Sequence, residues 1–517
     1  MIDETEDKLL TTEAKQNLKK VIWTVVLFLI ANLLFFLTNW LLEQYDHVYF
    51  DQFLYQMKSS AAGVHRVLTS SVIVRVGLFG FALTAVETAV FLFLTGYVPK
   101  LLSKWKPYIQ YCSSRVCRVF RKTVLPVALA CSIASCTLFI VKLEVVAYVD
   151  YTLTESDFIE KHYADPATTS LKFPETKRNL IYIFLESMEN TFADPSAKGP
   201  ITTDFIPELS ALANENVSFS HTSGVGGAFT YCGTTWTAGA LVSQTSGVPI
   251  KVPLDAEYYG NEGSYMPGVV SIGDILKEQG YRQTFIMGSN AEFACRDNYF
   301  KIHGDYKMLD TNSLKASGRL PEDYDEWWGF EDEKLFAYAK EELTEYAKSE
   351  QPFNLTLLTA DTHFPDGYAC PQCENTHDNQ YANVLSCSSK RVADFISWVK
   401  EQPFYENTTI VLAGDHLTMD PKFLDGIDED YVRTTYNCII NSAVEPVQKQ
   451  NRTFATFDLF PTTLAAMGVE IEGDRLGLGT NLFSDKPTLT EEYGFDALDT
   501  ELQKKSEFYN TKFFQEK

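Results

Sequence analysis

Three places in the 517-residue sequence put ligand-type side chains directly after a short apolar run. "NLIYIFLES" ends in Glu186, "FNLTLLTADTH" in Asp361 and His363, and "TTIVLAGDHL" in Asp415 and His416. Taken singly, an acid after a strand is an ordinary capping or loop residue. Glu186, Asp415 and His416 together offer two carboxylates and an imidazole. That donor set suits a divalent ion of the manganese or zinc kind and leaves a position for substrate. A nucleophile for such an ion is available in "GVGGAFTYCGTTWTAGALVSQTSG", Gly224 to Gly247. There a glycine-rich lead-in precedes Thr234, Thr235 and Thr237 and a small-residue helix expected over Trp236 to Ser243. A hydroxyl at a helix N-terminus sits where backbone N–H groups receive anions. A metal-activated alkoxide at that place can attack phosphorus. The bland alternative is a threonine that merely caps the helix.

These residues need a scaffold that brings strand ends together. From residue 178 onward, β-branched runs alternate with segments of helical period. The fold class is therefore α/β, with a mostly parallel sheet flanked by helices. The clearest strands are Asn179 to Ser187, Arg282 to Ser289, Phe353 to His363 and the run from Thr408. Helices are expected over Asp204 to Asn214, Ser271 to Glu278, Glu331 to Lys348 and Ser389 to Glu401. A last one, "DLFPTTLAAMG", carries Pro461 in its first turn and Gly468 at its end. In open α/β sheets ligands bind beyond the carboxyl ends of the strands, which is where the acids and histidines lie.

Ahead of this domain the composition is different. Val21 to Leu42 is uncharged and long enough to cross a bilayer; Val76 to Val98 is interrupted only by Glu87; Val124 to Val141 is shorter. The first run is too long for a signal-peptide core and lacks a cleavage site. Glu87 should face another helix or a polar head group. Lys15, Lys19 and Lys20 precede the first span. Lys100, Lys104, Lys106, Arg115, Arg118, Arg121 and Lys122 separate the second from the third, whereas Glu43 to Ser71 holds only Lys58 and Arg66. The positive-inside rule then places the N-terminus in the cytoplasm and the large domain outside. Residues 1–149 read as a three-span anchor (about 21–42, 76–98 and 124–141), 150–177 as a linker or surface helix, and 178–517 as an extracytoplasmic catalytic domain. The net charge of −24 is concentrated in that domain. Such an excess excludes nucleic acid and an anionic membrane surface as its partners. "CPQC", Cys370 to Cys373, has no second CxxC. With Cys387 nearby, a loop-closing disulfide is expected there rather than half a zinc knuckle or a redox motif.

The segments "YIFLES", "CGTTWTAGALVSQTSG", "FACRDNYFKIHG", "LLTADTHFPDG" and "VLAGDHL" occur in the order seen in the phosphoglycerol transferase and lipoteichoic-acid synthase branch of the alkaline-phosphatase (sulfatase-like) superfamily, which residues 178 to 485 resemble. The "GTxWTxxG…SQxxG" and "DTHxPDG" forms resemble the transferases acting on periplasmic glucans more than the teichoic-acid polymerases. The resemblance implies that Glu186, Asp415 and His416 bind the metal and that Thr234 is nucleophile and ligand, with Thr235 as the one-residue alternative. It implies further that Arg296 binds phosphate and that His363 lies near the phosphoryl or leaving oxygen. A histidine that the synthases carry before their arginine is replaced around Met287. The implied cofactor is a divalent metal, Mn²⁺ first, with Zn²⁺ or Mg²⁺ as alternatives. The implied reaction moves glycerol phosphate from phosphatidylglycerol to an extracytoplasmic glycan at a bacterial inner membrane. Phosphoethanolamine transfer and polyglycerolphosphate synthesis are its rivals; a sulfatase would need a Cys-x-Pro-x-Arg segment, which the sequence lacks. His221, His303 and His377 are expected in packing or surface roles, and Trp236 in the core.

Overall fold

The computed structural model describes residues 2–45, 49–59, 66–95, 115–252, 265–420 and 422–514. The chain forms two compact units, Met1–Val48 with His65–Ala147, and Tyr49–Val64 with Tyr148–Lys517.

The first unit contains three helices long and apolar enough to cross a membrane: Lys19–Gln44 within α1 (Ile2–Gln44), α3 (Leu68–Thr95) and α4 (Arg115–Lys142). The last two begin well before the apolar runs from Val76 and Val124. Arg75 and Arg121 end the hydrophobicity without ending the helix, because backbone hydrogen bonds do not depend on side-chain polarity. Arg75 pairs with Glu43 at the end of α1. Glu87 meets the expectation of a helix partner: Asn32 Nδ2 donates to it at 2.7 Å and to Thr84 Oγ1 at 3.0 Å. Of the loop charges used for orientation, Lys100, Lys104 and Lys106 lie outside the described residues.

The second unit is built on a six-stranded sheet of β1 (Asn179–Leu185), β2 (Arg282–Met287), β3 (Lys307–Leu309), β4 (Phe353–Leu358), β5 (Thr408–Gly414) and β6 (Asn437–Ile440). Its order is β3-β2-β4-β1-β5-β6, parallel throughout except for β6 against β5. The short edge strands β3 and β6 were not among the four strands legible in the sequence; three or four residues are too few to show a period. Along β1, Leu180, Tyr182 and Phe184 enter one core, and Ile181, Ile183 and Leu185 another. Both faces are thus covered, as a parallel sheet requires. On one side lie α6 (Thr237–Ser246) and α11 (Leu459–Ala466); on the other, α5 (Pro207–Glu215), α9 (Asp332–Tyr346) and α10 (Gln380–Lys400). α10 starts nine residues before the expected Ser389, because Asn379 caps it by accepting from Tyr381 N at 2.8 Å.

Residues 150–177 are integral to this unit, not a free linker. Ser156 N donates to Lys505 O, Ala164 N donates to Gly477 O, and Leu171–Lys172 pairs with Glu470–Ile471. Tyr49–Val64, read in the sequence only as a connection between spans, also belongs here. Its helix α2 (Phe50–Lys58) buries Asp51, Gln52 and Tyr55.

Gly414 closes β5 where the chain passes closest to β1. A Cβ there would come 1.9 Å from Met188 O. Gly414→Ala is expected to destabilise the domain by about 2 kcal/mol or more, read as a lowered melting temperature of the detergent-solubilised protein; an unchanged melt would show that the β1 loop can move aside.

Candidate active site at the carboxyl edge

Register brings the first two acids together. Leu185 pairs with Gly414 across the parallel ladder, so the next residues, Glu186 and Asp415, leave the sheet side by side. Asp415 Oδ1 accepts from Ser187 N at 2.8 Å and from His416 N at 2.7 Å, which aims the carboxylate. Ser187, at φ 54°, turns the chain sharply after Glu186 and donates its hydroxyl to Glu186 Oε1 at 2.7 Å. His416 Nδ1 donates to Leu417 O at 2.8 Å. Its Nε2 therefore carries the lone pair, 3.6 Å from Glu186 Oε1 and 3.4 Å from Asp415 Oδ2. Fixing the tautomer through the other nitrogen is how metal-binding histidines are held.

The donor atoms of Glu186, Asp415 and His416 lie within 4.8 Å of one another, all buried. Asp415 Oδ2 has no hydrogen-bond partner among the described residues. Burial and the Glu186 charge push the Asp415 carboxyl up to about 8. Two buried carboxylates at this separation do not both ionise unless a cation lies between them. The residues fit a divalent metal.

The threonine loop departs from expectation. Thr234 is fully buried; its hydroxyl donates to Tyr231 O at 2.9 Å and accepts from Tyr231 N at 2.8 Å. It closes its own turn and does not face the metal ligands' atoms through any described hydrogen bond. Thr235 Oγ1 is buried without a partner among the described residues. It is Thr237, the first residue of α6, that approaches the ligand set, with Oγ1 3.4 Å from His416 Nε2. No side chain caps that helix end. Among the described hydrogen bonds of these three threonines, that of Thr237 reaches a metal-ligand residue.

Arg296 opens α8 (Arg296–Ile302) directly after Ala294 and Cys295, two consecutive non-glycine residues at φ 54° and 58°. Such strain persists where the surroundings enforce it, typically at functional sites. Its Nε donates to Phe293 O at 2.9 Å, and the guanidinium lies 5.0 Å over the Phe293 ring. Burial lowers its pKa to about 10, while the Glu186 and Asp415 charges oppose the shift. His363 donates from Nδ1 to Phe364 O at 2.7 Å and stands between the Trp328 and Phe364 rings. Burial holds its pKa below the usual histidine value, with the Glu186 charge working the other way. Asp361, in contrast, turns into a reciprocal pair with Asp332, accepting from Asp332 N at 3.0 Å while Asp361 N donates to Asp332 Oδ2 at 3.1 Å. Met287 is fully buried at the end of β2. His303 bonds Asp274 and Tyr265 O, His377 bonds Ser386, His221 packs edge-on to Phe229, and Trp236 is core, all as expected.

Two supporting groups were not among the residues that the sequence singled out. Gln244 on α6 donates to Gly414 O at 3.0 Å and to Asp415 O at 3.3 Å, and accepts from Tyr182. A buried glutamine on a small-residue helix was the available hint. From α2, Tyr55 donates to Ala294 O at 2.7 Å, and Asp51 accepts from Cys232 Sγ at 3.1 Å. A helix 239 and 181 residues upstream thus braces the Arg296 turn and the threonine loop, respectively. No local pattern could announce that.

The profile of the family described as Sulfatase matches residues 178–469. Over 265 residues, half of the chain, the sequence is 35% identical to phosphoglycerol transferase I of Escherichia fergusonii and to that of Citrobacter koseri. The matched part spans 33% of the length of each of these relatives. Among solved structures, an alkaline-phosphatase-superfamily protein of Vibrio parahaemolyticus aligns with a TM-score of 0.49 at 20% identity, covering 65% of this chain and 79% of its own. The lipooligosaccharide phosphoethanolamine transferase A of Neisseria meningitidis gives 0.49 at 13% identity, covering 86% and 84%.

Two outcomes test this geometry. Asp415→Asn is expected to cost the protein about one equivalent of bound divalent metal per chain, measured by elemental analysis, because the orphaned acceptor loses its charge. Tyr55→Phe removes the bond to Ala294 O, worth about 1 kcal/mol, together with the one to the Tyr265 hydroxyl; inorganic phosphate should bind the domain roughly fivefold more weakly by calorimetry, with the fold intact by circular dichroism.

Proposed function

The chain belongs to the sulfatase family, and we propose that it is a membrane-anchored, metal-dependent phosphoglycerol transferase whose nucleophile is Thr237, from its approach to His416, with Thr235, whose buried hydroxyl has no partner among the described residues, and the motif-matched Thr234 as the alternatives. The observation that carries the reading is the approach of Thr237 Oγ1 to His416 Nε2 at the open N-terminus of a ten-residue helix. Glu186, Asp415 and His416 would hold the metal, with Mn²⁺ the first choice and Zn²⁺ or Mg²⁺ the alternatives. Mixed carboxylate and imidazole donors accept any of the three. When bound, the metal supplies Lewis acidity that lowers the hydroxyl pKa and offsets phosphate charge.

The rest is done by the protein's own groups. The donor is phosphatidylglycerol, in keeping with the relatives named phosphoglycerol transferase I and with three membrane-crossing helices. In the first half-reaction the bond from Thr237 Oγ to phosphorus forms as the bond from phosphorus to the diacylglycerol oxygen breaks. The proton lost by Thr237 balances the one gained by diacylglycerol. His363, with Nδ1 committed to Phe364 O, keeps Nε2 available to carry that proton. In the second half an acceptor hydroxyl of an extracytoplasmic glycan displaces Thr237 from phosphorus, and its proton restores the threonine. Arg296 pairs with the phosphoryl oxygens through its planar fork. The N–H groups at the start of α6 stabilise the same charge. The domain lies on the extracytoplasmic side of a bacterial inner membrane, consistent with the distribution of lysine and arginine.

Incubation of the full-length protein with labelled phosphatidylglycerol and Mn²⁺ tests both halves. Thr237→Ala should lower diacylglycerol release about 1,000-fold or more, and the parent protein should yield a glycerol-phosphate adduct on Thr237 by peptide mass spectrometry. Thr234→Ala should weaken the fold yet leave the adduct at Thr237. An adduct on Thr234 or Thr235 would overturn the assignment of the nucleophile; consumption of phosphatidylethanolamine instead would move the reaction to phosphoethanolamine transfer.

A further inference from the structure

The loop that carries His363 ends in three cysteines rather than a pair. Cys370 and Cys373 follow on it directly, and Cys387 projects from α10, which also anchors the loop's start through Tyr381 O–H to Thr362 O at 2.8 Å. Cys370 Sγ lies 3.5 Å from Cys373 Sγ and 3.7 Å from Cys387 Sγ, and all three sulfurs lie within 4.8 Å of one another. None of the nine cysteines among the described residues is in a disulfide, so the expected loop-closing bond is not formed.

Two features make the trio more than a chance cluster. The first is spacing. Zinc with sulfur ligands at about 2.3 Å in a tetrahedron separates neighbouring sulfurs by about 3.8 Å, and C-x₂-C is the spacing of zinc knuckles. The second is charge. The Arg391 side chain is only 10% exposed, and its Nη2 lies 3.1 Å from Cys370 Sγ and 3.9 Å from Cys387 Sγ. Its other polar neighbours are Gln372 Oε1 at 3.4 Å, Glu333 Oε2, which stays 3.9 Å away from Nη1, and the Asp361 carboxyl, near enough to act on its charge. A mostly buried guanidinium facing sulfur calls for negative charge on that sulfur.

We infer that Cys370, Cys373 and Cys387 form a thiolate site for a zinc-class divalent ion, separate from the Glu186–Asp415–His416 centre, with Arg391 as its charge-balancing neighbour. Binding releases three thiol protons to solvent and forms three sulfur–metal bonds. Three thiolates and one divalent ion leave a net charge of −1, which Arg391 neutralises. Cys373 and Cys387 are half-buried, so the fourth tetrahedral position is open to water. A single disulfide would engage two of the sulfurs and leave the third as a thiol; the ion engages all three. The site closes the far end of the His363 loop onto α10, so its occupancy should set how firmly that loop is held.

The test uses full-length protein purified in zinc-containing buffer without reductant. Elemental analysis should give about two metal equivalents per chain. Cys373→Ser with Cys387→Ser should lose one of them, while Asp415→Asn should lose the other. As a check independent of variant folding, thiol alkylation of the parent protein read by peptide mass spectrometry should leave Cys370, Cys373 and Cys387 unmodified until a chelator is added, and amide exchange over residues 361–377 should then speed up. A disulfide among the three in the purified protein, or zinc content unchanged by the cysteine substitutions, would overturn the site.

Discussion

Two carboxylates with nowhere to put their charge organise the centre of this domain. Glu186 and Asp415 leave adjacent parallel strands in register, both buried, with donor atoms within 4.8 Å of each other and of His416. At an effective dielectric of about 20, two such charges repel by about 3 kcal/mol or more before desolvation is counted. A protein that merely needed stability would place apolar residues here. What surrounds the pair holds it in place instead of relieving it. Ser187 and His416 backbone N–H groups fix Asp415 Oδ1, Thr359 Oγ1 accepts from Glu186 N, and Thr362 O–H bonds Glu186 O at 2.5 Å. The orphaned Asp415 Oδ2 is the atom left for a cation.

Much of the remaining architecture follows from keeping those two residues together. A parallel β1–β5 pair needs a sheet buried on both faces, which explains the two cores and the apolar strands. Gly414 exists because the β1 loop passes too close for any side chain. Gln244 reaches from α6 to the carbonyls of Gly414 and Asp415, so the helix bearing Thr237 and the strand bearing the ligands cannot shift independently. α2 adds a brace from a distant part of the chain, holding Ala294 next to Arg296 and Cys232 next to the threonine turn.

The wall of the site opposite the metal ligands is built on a different principle, backbone strain held by packing. Ala294 and Cys295 both adopt left-handed conformations, and Tyr55, itself fully buried, supplies one of the bonds that pay for them. His363 is set by aromatic neighbours and its own loop, whose two ends are tied to α10 by Tyr381 and by the cysteine cluster. Each reactive group is thus carried on a separate element and fixed by contacts outside that element, which is the arrangement that keeps a constellation within tenths of an ångström.

The sequence by itself determined the layout: three apolar spans, an α/β alternation after residue 178, and strands ending in Glu186 and in Asp415–His416. Those signals are local, since hydrophobic period and strand-end polarity are written in consecutive residues. Short edge strands escaped because they carry no period, and residues 150–177 looked like a linker because their partners, Lys505, Gly477 and Glu470–Ile471, lie some 300 residues away. Which threonine faces the ligands was undecidable from "CGTTWT", where three hydroxyls sit within four residues. Only the fold shows that the Thr234 hydroxyl turns back onto Tyr231 and that Thr237 starts α6. The same holds for Asp361, which looks like a ligand in "TADTH" and is spent on Asp332, and for α2, which looks like a loop between spans and packs under Arg296. Residue type and order announce what chemistry a chain can attempt; only tertiary contact decides which of those polar atoms are taken up by the fold and which are left for a ligand.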